Sequence, residues 1–170
     1  GASGGVGGGL EEAIRASGRF SRVVGLSRSG DPAVDLTDEG AIFDALEAIS
    51  ADLRLVMVAS GFLHDERFSP ERAMKALDAE HMAKCFAVNT IGPALVMKHV
   101  LPRLPREGKS VFAALSARVG SIGDNRLGGW HSYRASKAAL NQVLRTGAIE
   151  LGRRRKQAIC VALHPGTVET

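Results

Sequence analysis

The sequence predicts a doubly wound α/β fold, a parallel sheet with helices on both faces. Apolar runs without polar alternation, LRLVMVA at 53–59 and SVFAAL at 110–115, suit strands covered on both faces. The segments between them carry apolar residues three and four apart, the spacing of one helical face. Glycine supplies 20 of the 170 residues and aromatics only 5%, which suits tight strand-to-helix turns better than an all-β sandwich.

In order along the chain, 7–17 predicts a helix with Leu10, Ala13 and Ile14 on one face, and FSRVVGL at 20–26 a short strand. DLTD at 35–38 reads as a strand end followed by a cap. Thr37 or Asp38 opens a helix carrying Ile42, Phe43, Leu46 and Ile49. The strand at 53–59 leads into a loop at 60–70, then a long helical region broken near Gly92-Pro93 and ended by Pro102 and Pro105. A strand at 110–115, a helix at 132–151 and a strand at 158–163 follow, the last stopped by His164-Pro165-Gly166. Strands alternating with helices imply parallel βαβ units. The chain opens directly on a glycine turn that needs a strand to feed it. It therefore reads as a single-domain fragment, 1–170, lacking the first strand and the C-terminal part of such a sheet.

Bulk properties narrow the function. The formal net charge is +4, but the basic residues are scattered, and the dense run 153–156 follows a helix, so no nucleic-acid face is expected. No run approaches the roughly 18 apolar residues of a membrane span, and no signal peptide is evident, so a cytoplasmic protein is expected. The two cysteines, Cys85 and Cys160, lack metal-ligand spacing and read as buried thiols in a reducing compartment.

The opening GASGGVG places Gly1, Gly5 and Gly7 so that the backbone turns tightly and approaches a pyrophosphate seated on the following helix. The next strand ends at Leu26-Ser27-Arg28, where an NAD site usually has an acidic residue for the ribose 2′-hydroxyl. Arg28 there pairs with a 2′-phosphate, favouring NADP, with NAD as the alternative. Further on, Tyr133 and Lys137 stand four apart at the start of a helix and so share a face. An ammonium near a phenol favours the phenolate, which lets tyrosine exchange a proton with an alcohol or carbonyl near neutral pH. Tyr133 is the chain's single tyrosine.

Together these segments resemble the short-chain dehydrogenase/reductase family, a Rossmann-type fold, across essentially the whole chain. The resemblance implies a cofactor turn at Gly1, Ser3, Gly5, Val6 and Gly7, and an adenine-holding Asp35 in DLTD. It places Ala59-Ser60-Gly61 at the family's Asn-Ala-Gly segment, so that Ser60 and Gly61 flank the cofactor. Asn89 in VNTIG fits the helical asparagine that anchors a proton relay to the lysine. Tyr133 and Lys137 fit the catalytic pair, with Lys137 also holding the nicotinamide ribose. Pro165, Gly166 and Val168 lie in the segment that closes around the nicotinamide. Within the family, SARVGSIGDNRLGGWHSYRASKAALN is most similar to the C-factor and sniffer-like carbonyl reductases. The implied function is interconversion of a carbonyl and an alcohol by a homodimer or homotetramer.

One departure matters chemically. Where the family carries Ser-Ser-x-x-Gly, with the second serine bonding the substrate oxygen, this chain reads Ser116-Ala117-Arg118-Val119-Gly120. A methyl group cannot donate a hydrogen bond. Ser116 is the favoured stand-in, and Ser121 the alternative if its loop folds inward. The same departure supports a second expectation, a cofactor-binding regulatory or signalling protein with little catalysis. Ala59 also replaces the asparagine of Asn-Ala-Gly, and the lone His131 reads as a surface or packing residue.

Overall fold

The computed structural model describes residues 1–166. Its strands, β1 (Leu55–Val58), β2 (Ser110–Leu115) and β3 (Ala158–Leu163), form one parallel sheet in the order β1-β2-β3. Leu55 pairs with Val111, and Ser110 with Ala158. The two later strands match their expected bounds because continuous apolar runs ended by polar or Pro-Gly residues leave little choice. The first is shorter than 53–59, since only its middle finds a ladder partner.

The helices are α1 (Gly5–Ala16), α2 (Glu39–Glu47), α3 (Ala79–Phe86), α4 (Gly92–Val100) and α5 (His131–Arg154). Asp38 caps α2, its carboxylate accepting from Ala41 N at 3.1 Å, which settles the choice between Thr37 and Asp38. At the other end of α2, the Arg103 guanidinium donates to the Leu46 and Ile49 carbonyls, supplying donors that the helix end leaves unmet. Phe112 and Ala114 of β2 are buried with Val96 and Val100 of α4 and Leu140 and Leu144 of α5. This core fixes α5 against the sheet, so the ends of β1 and β2 face the first turns of α5.

Two expectations are corrected. The segment 20–26 forms no strand, and neither does 35–38. Among the described residues the ladder in this region is a single bridge between Ser27 and Ala33. A strand exists only where a neighbour completes its hydrogen bonds. Here a cavity of about 360 Å³ lies between Val23–Leu26 and β1, lined also by Leu10 and Ile14 of α1. The second correction concerns Gly92-Pro93, where no break occurs. The chain passes from α3 to α4 through a π-helical turn, Ala87–Ile91, in which Gly92 N donates to the Ala87 carbonyl five residues back. Pro93 has no N–H to give to the Asn89 carbonyl four residues back, so the wider turn absorbs the missing bond without ending the helix. Gly92 is required there, because a Cβ would stand 2.6 Å from Leu36 Cβ.

Candidate active site

The glycine turn packs directly on the end of β1. A Cβ on Gly1 would lie 2.7 Å from Ser60 N, and one on Gly7 would overlap the Gly1 carbonyl oxygen. Gly1 N and Ala2 N both donate to the Leu26 carbonyl, at 2.8 and 3.1 Å, which ties the turn to the segment before Arg28. Gly4 precedes α1, and no side chain caps the helix. Ser3, Gly5 and Val6 lie in this turn and first helical residues.

Arg28 sits within electrostatic reach of Asp35. Hydrogen bonds from Thr37 hold the Asp35 carboxylate low, with Arg28 a smaller cause. Asp35 Oδ1 accepts from Thr37 N at 2.8 Å and Thr37 Oγ1 at 2.7 Å. The structure thus gathers Gly1, Arg28, Asp35 and Ser60 around one end of the sheet.

The second cluster adjoins it. A Cβ on Gly61 would stand 3.7 Å from both Asn89 Oδ1 and Lys137 Nζ, so these two groups converge on the backbone just past β1. Asn89 is fully buried. Its side chain pairs with Phe62 as a strand would, accepting from Phe62 N at 2.7 Å and donating to the Phe62 carbonyl at 2.8 Å. It also donates to Ser136 Oγ at 3.0 Å, and Ser136 Oγ donates to the Tyr133 carbonyl at 2.9 Å. Ser136 was not among the expected site residues, although its place three residues after Tyr133 on α5 is the signal that finds it.

Lys137 is 2% exposed, and its ammonium donates to the Leu115 carbonyl at 2.9 Å. Burial lowers it from 10.5 to about 8. The ammonium stands 5.8 Å from the Tyr133 ring centroid. The expected lowering of the phenol is corrected: burial pushes Tyr133 above its ordinary value, with the Cys85 thiol a smaller cause. Lys137 directs its proton at a carbonyl and does not offset that desolvation. Burial likewise raises Cys85 and Cys160 to about 11, which keeps both as inert thiols near neutral pH.

The Lys137 value has a consequence for stability. Between about pH 8 and 10.5 the unfolded chain holds a proton that the folded chain has released, so folding stability from this group rises with pH across that window. Lys137→Met removes the penalty of burying the charge. Its stability gain over the unaltered chain is expected to shrink by about 3 kcal/mol from neutral pH to about pH 10.5. Urea unfolding of both proteins at the two pH values checks this, and a pH-independent difference would contradict it.

Of the two expected serine stand-ins, one has its proton engaged elsewhere and the other lies in an exposed loop. Ser116 Oγ donates to Asn141 Oδ1 at 2.7 Å, about two turns beyond Tyr133 along α5. Ser121 Oγ accepts from Asp124 N at 3.3 Å in an exposed loop. Ala117 is extended, with φ −142° and ψ 148°. Pro165 and Gly166 follow β3 and are exposed, whereas Val168 lies outside the described residues. His131 is half-buried at the start of α5 and lines a small pocket with Gly120, Arg134 and Ala138. Among the described residues no helix is long and apolar enough to cross a membrane.

Comparison with known proteins agrees with this geometry. A family model described as enoyl-(acyl carrier protein) reductase matches residues 21–170. The C-signal protein of Myxococcus xanthus is 38% identical over 98 residues, covering 58% of this chain and 58% of its own length. The 1-hydroxy-2-glutathionyl-2-methyl-3-butene dehydrogenase of Rhodococcus sp. (strain AD45) is 35% identical over 146 residues, 82% of this chain and 59% of that protein. The chain therefore spans under three fifths of the length of these curated relatives. Two solved structures share the fold. A short-chain dehydrogenase/reductase from Burkholderia multivorans with bound NADP matches at TM-score 0.83 and 24% identity, over 100% of this chain and 78% of that one. The carbonyl reductase Sniffer of D. melanogaster matches at TM-score 0.79 and 22% identity, over 98% and 78%. With a glycine turn, a buried lysine four residues after its tyrosine, and a family model covering the chain from residue 21 to its end, the protein belongs to the short-chain dehydrogenase/reductase family.

Proposed function

We propose that this chain carries the cofactor-binding and proton-transfer machinery of an NADP-dependent oxidoreductase that interconverts a carbonyl and an alcohol. The observation that carries this reading is the convergence of Lys137 and Asn89 on the backbone at Gly61, with the Tyr133 ring 5.8 Å from the Lys137 ammonium, beside a glycine turn that leaves no room for a Cβ. That turn fits a nucleotide, since its close backbone approach and uncapped helix suit a pyrophosphate. Gly1, Ser3, Gly5, Val6 and Gly7 would hold the pyrophosphate, Arg28 the 2′-phosphate, Asp35 the adenine, and Ser60 and Gly61 the adjoining ribose. Lys137 would hold the nicotinamide ribose, with Pro165, Gly166 and Val168 covering that end. The NADP in the Burkholderia neighbour supports the choice of cofactor.

When bound, the nicotinamide supplies or accepts the hydride. Tyr133 gives its phenolic proton to the carbonyl oxygen, and Lys137, whose ammonium stands 5.8 Å from its ring on the same helical face, resupplies that proton. Lys137 is poised to pass a proton near neutral pH because burial has brought it to about 8. The Asn89 carbonyl, which Pro93 cannot serve as a helical donor, anchors the relay behind the lysine. The Asn89 side chain meanwhile locks Phe62 and Ser136 in place.

Ala117 favours a second reading, a cofactor-binding regulatory or signalling protein with weakened chemistry. Ser116 already donates its proton to Asn141, so neither residue offers a hydroxyl to a substrate oxygen. Removing one such donor typically lowers turnover by about 10²–10³. Ala117→Ser is therefore expected to raise carbonyl-dependent NADPH oxidation by about that factor without changing NADPH affinity. Carbonyl-dependent turnover in the unaltered protein that this substitution leaves unchanged would show that the chain manages without the serine. NADPH binding with turnover only in Ala117→Ser would support the regulatory reading.

A further inference from the structure

Beneath the first turn of α5 lies a polar cluster that the proposed chemistry does not use. Glu71, His81 and Ser132 are 3%, 1% and 0% exposed. The Glu71 carboxylate accepts from the Ser132 hydroxyl and, at 3.3 Å, from Ser132 N. The same carboxylate lies 3.3 Å from His81 Nδ1, while His81 Nε2 stands 3.2 Å from the Leu63 carbonyl. His81 is itself fixed between two rings, stacked on Phe68 at 5.2 Å and edge-on to Phe62 at 5.9 Å. The Glu71 carbonyl accepts from Trp130 N at 2.5 Å.

The location of this cluster gives it meaning. α5 begins without a side-chain cap of its own, and Trp130 before it adopts a left-handed φ of 54°. Glu71, 61 residues away in sequence from Ser132, supplies both missing functions. Its carbonyl holds the strained entry residue, and its carboxylate caps an early amide of the helix, where a negative charge is favoured. Tyr133 is the next residue. Burying a carboxylate and an imidazole is costly unless each is paired, so the arrangement is a demanding way merely to fill space.

We propose that Glu71, braced by His81, is a positioning residue that clamps the first turn of α5 and thereby sets Tyr133 beside Lys137. This assignment rests on the oxidoreductase reading for its consequence in catalysis, though the clamp itself is readable without turnover. Displacing a reacting group by about 1 Å can cost about 10²-fold in rate. Glu71→Gln keeps the shape but loses the charge facing His81, and Ser132→Ala removes the hydroxyl the clamp grips. In both, kcat for carbonyl-dependent NADPH oxidation is expected to fall about 10²-fold, while the Kd for NADPH stays within about twofold, because the glycine turn packs on the end of β1 away from the clamp and Lys137 keeps its bond to the Leu115 carbonyl.

Tyrosinate absorbance supplies the second readout, since the chain has one tyrosine. The Tyr133 titration midpoint, raised by burial, is expected to move down towards 10 in both variants as the first turn loosens. Loss of NADPH affinity in parallel with kcat would overturn the proposal in favour of a general scaffold role. Should the unaltered protein reduce no carbonyl, the oxidoreductase reading fails on its own. The titration then decides the clamp, and a midpoint unmoved in both variants overturns it.

Discussion

Replacing Tyr133 by phenylalanine is expected to lower carbonyl-dependent NADPH oxidation by about 10²–10⁴-fold while leaving the Kd for NADPH nearly unchanged. The substitution removes one oxygen from a half-buried ring and leaves the α5 packing intact, since no described hydrogen bond of the fold depends on that hydroxyl. Lys137 keeps its bond to the Leu115 carbonyl, and Asn89 keeps Phe62 and Ser136. The loss should therefore fall on the proton donor alone. Stopped-flow oxidation of NADPH, with binding read separately by fluorescence, separates the two. Turnover retained in Tyr133→Phe would remove the residue from the chemistry.

The second large effect belongs to the other end of the site. Gly7→Ala is expected to weaken NADPH binding by at least about tenfold and to destabilise the fold by about 1–3 kcal/mol. The added methyl overlaps the Gly1 carbonyl oxygen, and Gly1 in turn has Ser60 N 2.7 Å from its own Cβ position. Neither backbone can yield without moving the other, so the turn must open and carry its amides away from the phosphates. Gly9, where nothing lies within 4 Å of an added Cβ, is the matched control and should tolerate alanine. Calorimetric titration with NADPH and a urea melt measure both effects. Unchanged affinity in Gly7→Ala would mean that the cofactor is bound elsewhere.

Much of this site was legible in the residues, and the parts that were not share a physical cause. The strands at 110–115 and 158–163 were readable because both are continuous apolar runs with clear stops. Lys137 and Tyr133 were readable because four residues on a helix are neighbours whatever surrounds them. Pairing is different. The segment 20–26 has the composition of a strand, but the ladder depends on a neighbour, and a cavity lies where its bonds would go. The π turn at Asn89 required knowing that Pro93 withholds a donor while the tertiary contact at Gly92 keeps the helix running.

Glu71 and His81 sit in stretches with no revealing period, and only the folded chain brings Glu71 to Ser132. The preference for Ser116 as a stand-in hydroxyl likewise rested on local strand geometry. Asn141, about two turns along α5, claims that hydroxyl instead.

The measurement that tests the central claim most directly is deuterium transfer from NADPH labelled at nicotinamide C4 to a panel of small aldehydes and ketones, read by mass spectrometry of the product alcohols. Deuterium on the carbinol carbon with the unaltered protein, and its loss in Tyr133→Phe, is the predicted result. NADPH bound with measurable affinity, yet no deuterium in any product from the unaltered protein or from Ala117→Ser, would contradict a carbonyl reductase built on this site.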